Sequence, residues 1–293
     1  MEQVLFKCLS ISLMFKLPPV YKLCLSCSMF LLASFLCACG NDTAQTQDKP
    51  ITDTIAEIAY EVPEDNPLPY DMDATDTIMV NGYLLYFAPS EKITFPDYYP
   101  EQAARDSIDT AYDNSHDQAI AIEEYLKNIY GRIFTANDSI LTITLANHKR
   151  ISLSKMCENP DEEAYNFDHY FPETDYVLLH VQYYEGDAYT LVNRKNGFKR
   201  LIYGRPYFSP DKTAFITTSI DLETGYNYNG IEYYLLQGDT ITKQFELAMS
   251  RCGPLQVKWV ADNTIAIEKE CWVNEGDTAV SFKAEYGLMT IKR

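Results

Sequence analysis

Carboxylates crowd two short stretches of this chain, and a suitably spaced pair is enough to cleave a glycosidic bond. The denser stretch, "NPDEEAYNFDHYFPETD", carries Asp161, Glu162, Glu163, Asp168, Glu173 and Asp175. A hydrolytic reading would rest on Glu163 or Asp168, whereas a solvated acidic loop asks nothing of either. The second stretch, "DMDATD", places Asp71, Asp73 and Asp76 as at the start of a calcium loop. Such a loop needs Gly at its sixth position and Glu at its twelfth, where Asp76 and Gly82 stand instead. The four histidines, His116, His148, His169 and His180, lack metal-ligand spacing. His169 and His180 could approach one another across a sheet edge, but capping or packing is the expected role. GxSxG, HExxH, the phosphate-binding loop and the dinucleotide fingerprint are all missing. Ser209 in "FSPD" has no evident base beside it and is read as a turn former. No catalytic residue, metal or cofactor is therefore expected.

Recognition chemistry is better represented. The chain has 23 tyrosines, and "ETGYNYNGIEYY" sets Tyr226 and Tyr228 among Asn and Gly in an expected loop. Tyrosine offers contact area and a hydroxyl at small entropic cost, which suits a protein or glycan ligand. The alternative is a loop whose tyrosines cover the neighbouring sheet.

Cysteines separate into two groups. Cys24 and Cys27 have CxxC spacing but lie inside an apolar run, where neither a thioredoxin-like turn nor a second pair exists. Cys252 and Cys271 flank "GPLQVKWVADNTIAIEKE", read as two strands joined at Asp262-Asn263, and are the candidate disulfide. A tight turn there would place Cys271 diagonal to Cys252. Cys157 is left over.

The apolar run, residues 23–38, follows Lys16 and Lys22 and reads as a secretory signal, slightly short of the about 20 residues a spanning helix needs. It ends in "LCAC", Leu36 to Cys39, which resembles the bacterial lipobox. That resemblance implies cleavage before Cys39 and its lipidation, with residues 1–38 as leader and Met14 an alternative start. Residues 39–75, polar, acidic and Pro-containing, are expected to be a flexible tether. The leader carries Lys7, Lys16 and Lys22 against Glu2, so its loss takes the net charge from −18 to −20. Such a charge argues against nucleic acid as a partner. The membrane is expected to be met through the lipid alone.

Asp followed by Ser or Thr and then Ala or Ile occurs eight times. The pattern resembles the O-glycosylation acceptor of exported Bacteroidota proteins. By that resemblance the acceptors are Thr43, Thr54, Thr77, Ser107, Thr110, Ser139, Thr240 and Thr278. Turn chemistry at strand starts is the competing explanation.

The elements that must position these residues follow from pattern. Asn81-Gly82 in "TIMVNGYLLYF" predicts a hairpin. "SHDQAIAIEEYLKNIYG" predicts a helix ended by Gly131, with Ile120, Ile122, Leu126, Ile129 and Tyr130 as its apolar stripe; a second, acidic helix is expected over residues 101–112. From Asp168 onward the chain repeats. "HYFPETDYVLLHV", "PYFSPDKTAFITTS" and "VKWVADNTIAIEK" each offer an aromatic (Phe171, Phe208, Trp259), an acidic turn and an apolar strand. One strand, a turn and three further strands make a propeller blade. "PYFSPDKTAF" resembles the repeat of TolB-type propellers, with Lys212 where a Gly usually follows the Asp. The expected fold is thus mainly β, with three recognisable propeller-like antiparallel blades over residues 168–293, open or incomplete. A smaller α+β region is expected over residues 76–167, and a β-sandwich is the alternative.

Together these features resemble Bacteroidota envelope lipoproteins with TolB-like repeats. They imply a membrane-anchored, glycosylated envelope protein with a binding role. An envelope hydrolase acting on glycan or peptide, and an immunity-type inhibitor of a basic toxin, are the alternatives.

Overall fold

Asn81 and Gly82 adopt the positive φ values of a two-residue hairpin turn, 47° and 79°. They join β1 (Asp76–Val80) to β2 (Tyr83–Pro89). The computed structural model describes residues 75–113, 115–157, 159, 162–274 and 280–293. The leader, Cys39, the tether to residue 74, Thr43, Thr54 and Thr278 lie outside the described residues.

Two helices follow, α1 (Gln102–Ala111) and α2 (Ser115–Tyr130). On α2 the buried line is narrower than the sequence suggests. Leu126 is fully buried, with Ile122, Tyr125 and Tyr130 packed beside it, while Ile120 and Ile129 remain 50% and 48% exposed. The helix meets the sheets along the row Ile122, Leu126 and Tyr130 with Tyr125 beside it, so Ile120 and Ile129, farther round, stay in solvent.

The remaining strands form meanders. The first sheet is β3 (Phe134–Ala136), β4 (Ile140–Thr144) and β5 (Arg150–Ser154). The second is β6 (Ala164–Phe171), β7 (Tyr176–Gln182), β8 (Asp187–Asn193) and β9 (Lys199–Ile202). The third is β10 (Arg205–Phe208), β11 (Ala214–Ser219), β12 (Gly230–Gln237) and β13 (Thr240–Ala248). Last come β14 (Cys252–Ala261), β15 (Thr264–Asn274) and β16 (Val280–Lys292). The N-terminal hairpin completes this last sheet in the order β1-β2-β16-β15-β14. The described residues are therefore mainly β, with four antiparallel sheets, none closed on itself, rather than the two of a sandwich. The division expected at residue 168 falls inside β6, and residues from both sides of it share the last sheet.

Three apolar cores hold the sheets together. α2 and the first two sheets share one around Leu126, Phe134, Leu141 and Phe167. The second and third sheets share another around Tyr176, Leu178, Phe215 and Tyr234. The third and last share the largest, around Leu85, Ile216, Phe245 and Ile265. Phe171, Phe208 and Trp259 lie toward the ends of β6, β10 and β14, each before the turn to the next strand. Phe171 and Phe208 meet edge to face at 4.9 Å. Trp259 packs on the largest core and donates from Nε1 to Tyr207 O at 2.8 Å. None of the three is fully buried, because each lies at a strand end beside a turn. In the second turn Lys212 has φ 60°, the left-handed conformation that explains why Gly is usual there.

Cys252 and Cys271 are joined by a disulfide and stand directly opposite, not diagonal. Register shifts between Pro254 and Gln256 and between Trp259 and Ala261 supply the difference. Each bulge adds one residue to β14, and two of them move the pairing by two positions.

Candidate functional site

A further register shift lies beside a buried polar cluster. Between Phe167 and His169 the ladder skips one residue, leaving Asp168 as the bulge. In a regular strand neighbouring side chains face opposite ways. Here Phe167, Asp168 and His169 are all buried. The bulge thus carries a buried carboxylate, a device found beside functional sites.

Asp168 is met there by the segment leading into α1 and by β10. The Tyr99 hydroxyl lies 2.7 Å from both carboxylate oxygens. Arg105 donates to the Asp168 carbonyl at 2.7 Å and to Glu101 at 3.0 Å, and its guanidinium caps the Tyr99 ring at 3.7 Å. Arg205 approaches from the other side, its Nε 3.7 Å from Asp168 Oδ2. Burial, reinforced by the Asp168 charge, pushes the Tyr99 hydroxyl far above the usual phenol range. For Arg205 burial works against the charge, but Asp168 and the surrounding tyrosines outweigh it and raise its pKa. His169 stands beside this cluster with Nδ1 3.6 Å from Glu101 and no hydrogen-bond partner. Burial holds its pKa below the usual histidine value, although Glu101 and Asp168 pull the other way. The imidazole is therefore neutral near pH 7.

Two cavities flank the cluster. The larger, about 850 Å³, is an open cleft between the end of α2, the turn that follows it and the end of β6. Tyr98, Tyr130, Tyr170, Phe171, His169 and Arg132 are among its walls. Pro100, Pro172 and Ile133 make much of the rest apolar. Arg194 reaches it while paired with Asp175 at 2.8 Å, and Lys127 while paired with Glu124 at 2.6 Å. Glu173 is the single carboxylate among the described lining residues. The smaller cavity, about 290 Å³, is lined by Arg205, Tyr189, Tyr207, Asp187, Asn227 and Ser219 among others. Tyr98 of the cleft and Tyr207 of the smaller cavity touch edge to face at 5.2 Å.

The residues singled out in the sequence scatter around these features. Asp168 joins the buried cluster, Glu173 reaches the cleft rim, and Glu163 accepts the Tyr165 hydroxyl. Asp71, Asp73 and Asp161 lie outside the described residues, as does the His116 side chain. His180 pairs with Asp187 at 2.9 Å rather than with His169. Ser209 accepts from the Ala214 amide and donates to Asp211, which fixes the turn. Tyr226 is 59% exposed. Tyr228 stacks on Tyr203 at 5.4 Å with its ring half-buried, so it braces the loop. The residue between them, Asn227, is the one that lines the smaller cavity. One group of potential metal ligands occurs among the described residues, Cys252, Cys271 and Glu285, and its thiols are consumed by the disulfide.

Five glycosylation candidates are described, and Thr77, Ser107, Thr110, Ser139 and Thr240 are all exposed. Those at 77, 139 and 240 sit at strand starts, whereas Ser107 and Thr110 lie within α1. Strand-start turn chemistry therefore covers only some copies. The roles of Tyr99, Arg105 and Arg205 had no signal in the sequence, because each is a lone residue without a motif.

No protein-family model matches the chain, and no curated protein matches it.

Proposed function

We propose that this chain is a lipid-anchored envelope protein that holds a segment of a partner protein in the larger cleft. The lipobox-like end of the apolar run and the acidic tether support the address. The order of the sheets supports a propeller-like array. Each repeat founds its own meander, and the N-terminal hairpin joins the last one, as a ring-closing strand would. Cleft chemistry carries the function. An 850 Å³ opening walled by tyrosines, Phe171 and prolines offers contact area, with Arg132 exposed at its edge. Its apolar walls suit side chains of a polypeptide better than a glycan. One carboxylate, Glu173, is too few for the two-carboxylate chemistry of glycoside hydrolysis, which favours holding over cutting.

Two measurements test the proposal. Cys39→Ala should move the protein from the membrane fraction to the soluble one; unchanged retention would remove the lipid anchor. A photo-crosslinking residue in place of Arg132, in the anchored protein, should give one discrete protein adduct. That adduct should vanish when Tyr170→Ala is added. An adduct insensitive to Tyr170, or a glycan adduct, would overturn the binding assignment.

A further inference from the structure

The smaller cavity is lined by a guanidinium with no hydrogen-bond acceptor among the described residues. Arg205 makes no side-chain hydrogen bond among the described residues. Its Nε is buried without a partner, and the nearest carboxylate oxygen is 3.7 Å away. Three aromatic rings surround it instead, Tyr99, Tyr189 and Tyr98, with centroids 5.1, 5.5 and 5.6 Å from Cζ. Rings hold a guanidinium in place by cation–π attraction but accept none of its hydrogens in the plane of the fork. Arginine offers five donors in that plane, matched to a carboxylate. Arg205 is one of the residues that line the cavity, and its side chain is 42% exposed.

The same cavity presents acceptors. Asp187 takes one bond from His180 at 2.9 Å and one from the Asn227 amide at 3.1 Å. An ionised carboxylate has about four lone-pair sites, so two remain. Ser219 and Thr218 add hydroxyls to the lining. One wall thus asks for a carboxylate and another for hydroxyl donors, within about 290 Å³.

We propose that this cavity binds a small hydroxylated carboxylate of the size of one sugar acid, its carboxylate on the Arg205 fork and its hydroxyls on Asp187 and Ser219. The loop of residues 221–229 forms part of the wall. Asp221 ties that loop by accepting the Thr224 and Asn227 amides, each at 2.8 Å. Asn227 then accepts the Asp187 amide at 2.8 Å, so the wall is set before any ligand arrives. Preorganisation of this kind reduces the cost of binding. The site is separate from the larger cleft, and neither assignment needs the other.

Calorimetric titration of the whole protein with glucuronate, methyl glucuronoside, glucose and acetate tests this. Glucuronate should saturate one site, with glucose and acetate at least about tenfold weaker, since each lacks one of the two contacts. Methyl glucuronoside binding equally well would identify a glycan end, and its exclusion a free acid. Arg205→Lys, which keeps the charge and loses the fork, should weaken glucuronate about tenfold or more. Ser219→Phe, which fills the cavity away from Asp168, should abolish binding with the fold intact by circular dichroism. Glucose binding as tightly as glucuronate, or either variant binding normally, would overturn the proposal. So would absence of glucuronate binding to the wild type. A change at Arg132 should leave this titration unmoved, whatever becomes of the cleft.

Discussion

Glu232 and Arg205 are charged residues of one sheet, two strands apart, and their surroundings are opposite. Glu232 on β12 is 1% exposed and fully engaged. It accepts from the Tyr203 amide at 2.9 Å, the Thr217 hydroxyl at 3.0 Å and the Tyr234 hydroxyl at 2.8 Å. Lys243 adds its ammonium at 3.5 Å. Tyr203 lies in the connection from the second sheet to the third, so this carboxylate fastens one sheet to the next. Arg205 on β10 has charge balance from Asp168 but no hydrogen-bond acceptor. A buried group whose lone pairs are all used is a fastening. A half-exposed group that makes no hydrogen bond to the rest of the protein can take up something else.

The largest effect should come from breaking the fastening. Glu232→Ala takes this acceptor from the Tyr234 and Thr217 hydroxyls and the Tyr203 amide, while the Lys243 ammonium keeps Glu246 at 2.6 Å. The expected loss is about 3–5 kcal/mol, as when one partner of a buried charge network is removed. Chemical denaturation would measure it, and a loss below about 1 kcal/mol would erase the contrast with Arg205.

Arg205→Met should cost less, about 1–2 kcal/mol, since cation–π contacts and one long ion pair are lost but no hydrogen bond is. Asp168 keeps Tyr99 and Arg105. If this substitution costs as much as Glu232→Ala, Arg205 is a structural residue after all.

The smallest effect sharpens the comparison through pH. Burial lowers the His169 pKa, so the unfolded chain binds the proton more readily than the folded one. That contribution to stability is fully present above the ordinary value of 6.5 and is lost as pH falls below it. His169→Phe should flatten the part of the stability profile just below pH 6.5 and leave the carboxylate-dependent part near pH 4 unchanged. The second part belongs to several carboxylates, Asp187 and Asp211 among them, with Asp221 lowered as well. His180 lowers Asp187, and Ser209 with the Thr213 amide lowers Asp211, so their contributions vanish on acidification below the usual carboxylate range. An unaltered profile in the variant would mean that His169 is not held neutral by its surroundings.

How far each feature was legible depended on the distance over which its cause acts. The Asn81-Gly82 hairpin and the Ser209-Asp211 turn follow from residues within a few positions of one another, and the structure contains both. Lys212 at the position of a usual Gly was readable as an anomaly, and its φ of 60° gives the reason. The α2 stripe was too wide in the sequence because periodicity shows which residues could face inward, not how much surface waits there. The diagonal cysteines were misplaced because a bulge has no reliable composition of its own. Tyr226 and Tyr228 drew attention as aromatics, while the cavity is lined by the Asn between them.

What the sequence alone determined about this protein is its local order: strands, turns and the three-fold recurrence of aromatic, acidic turn and strand. Alternation and turn residues act over a few peptide units, so these survive without knowledge of the rest. The tertiary structure decided which lone residues became neighbours. It brought Tyr99, Arg105, Asp168 and Arg205 into one cluster and added β2 to β16. Those outcomes depend on bulges and on shared apolar faces, which set register and approach only when distant strands have already met.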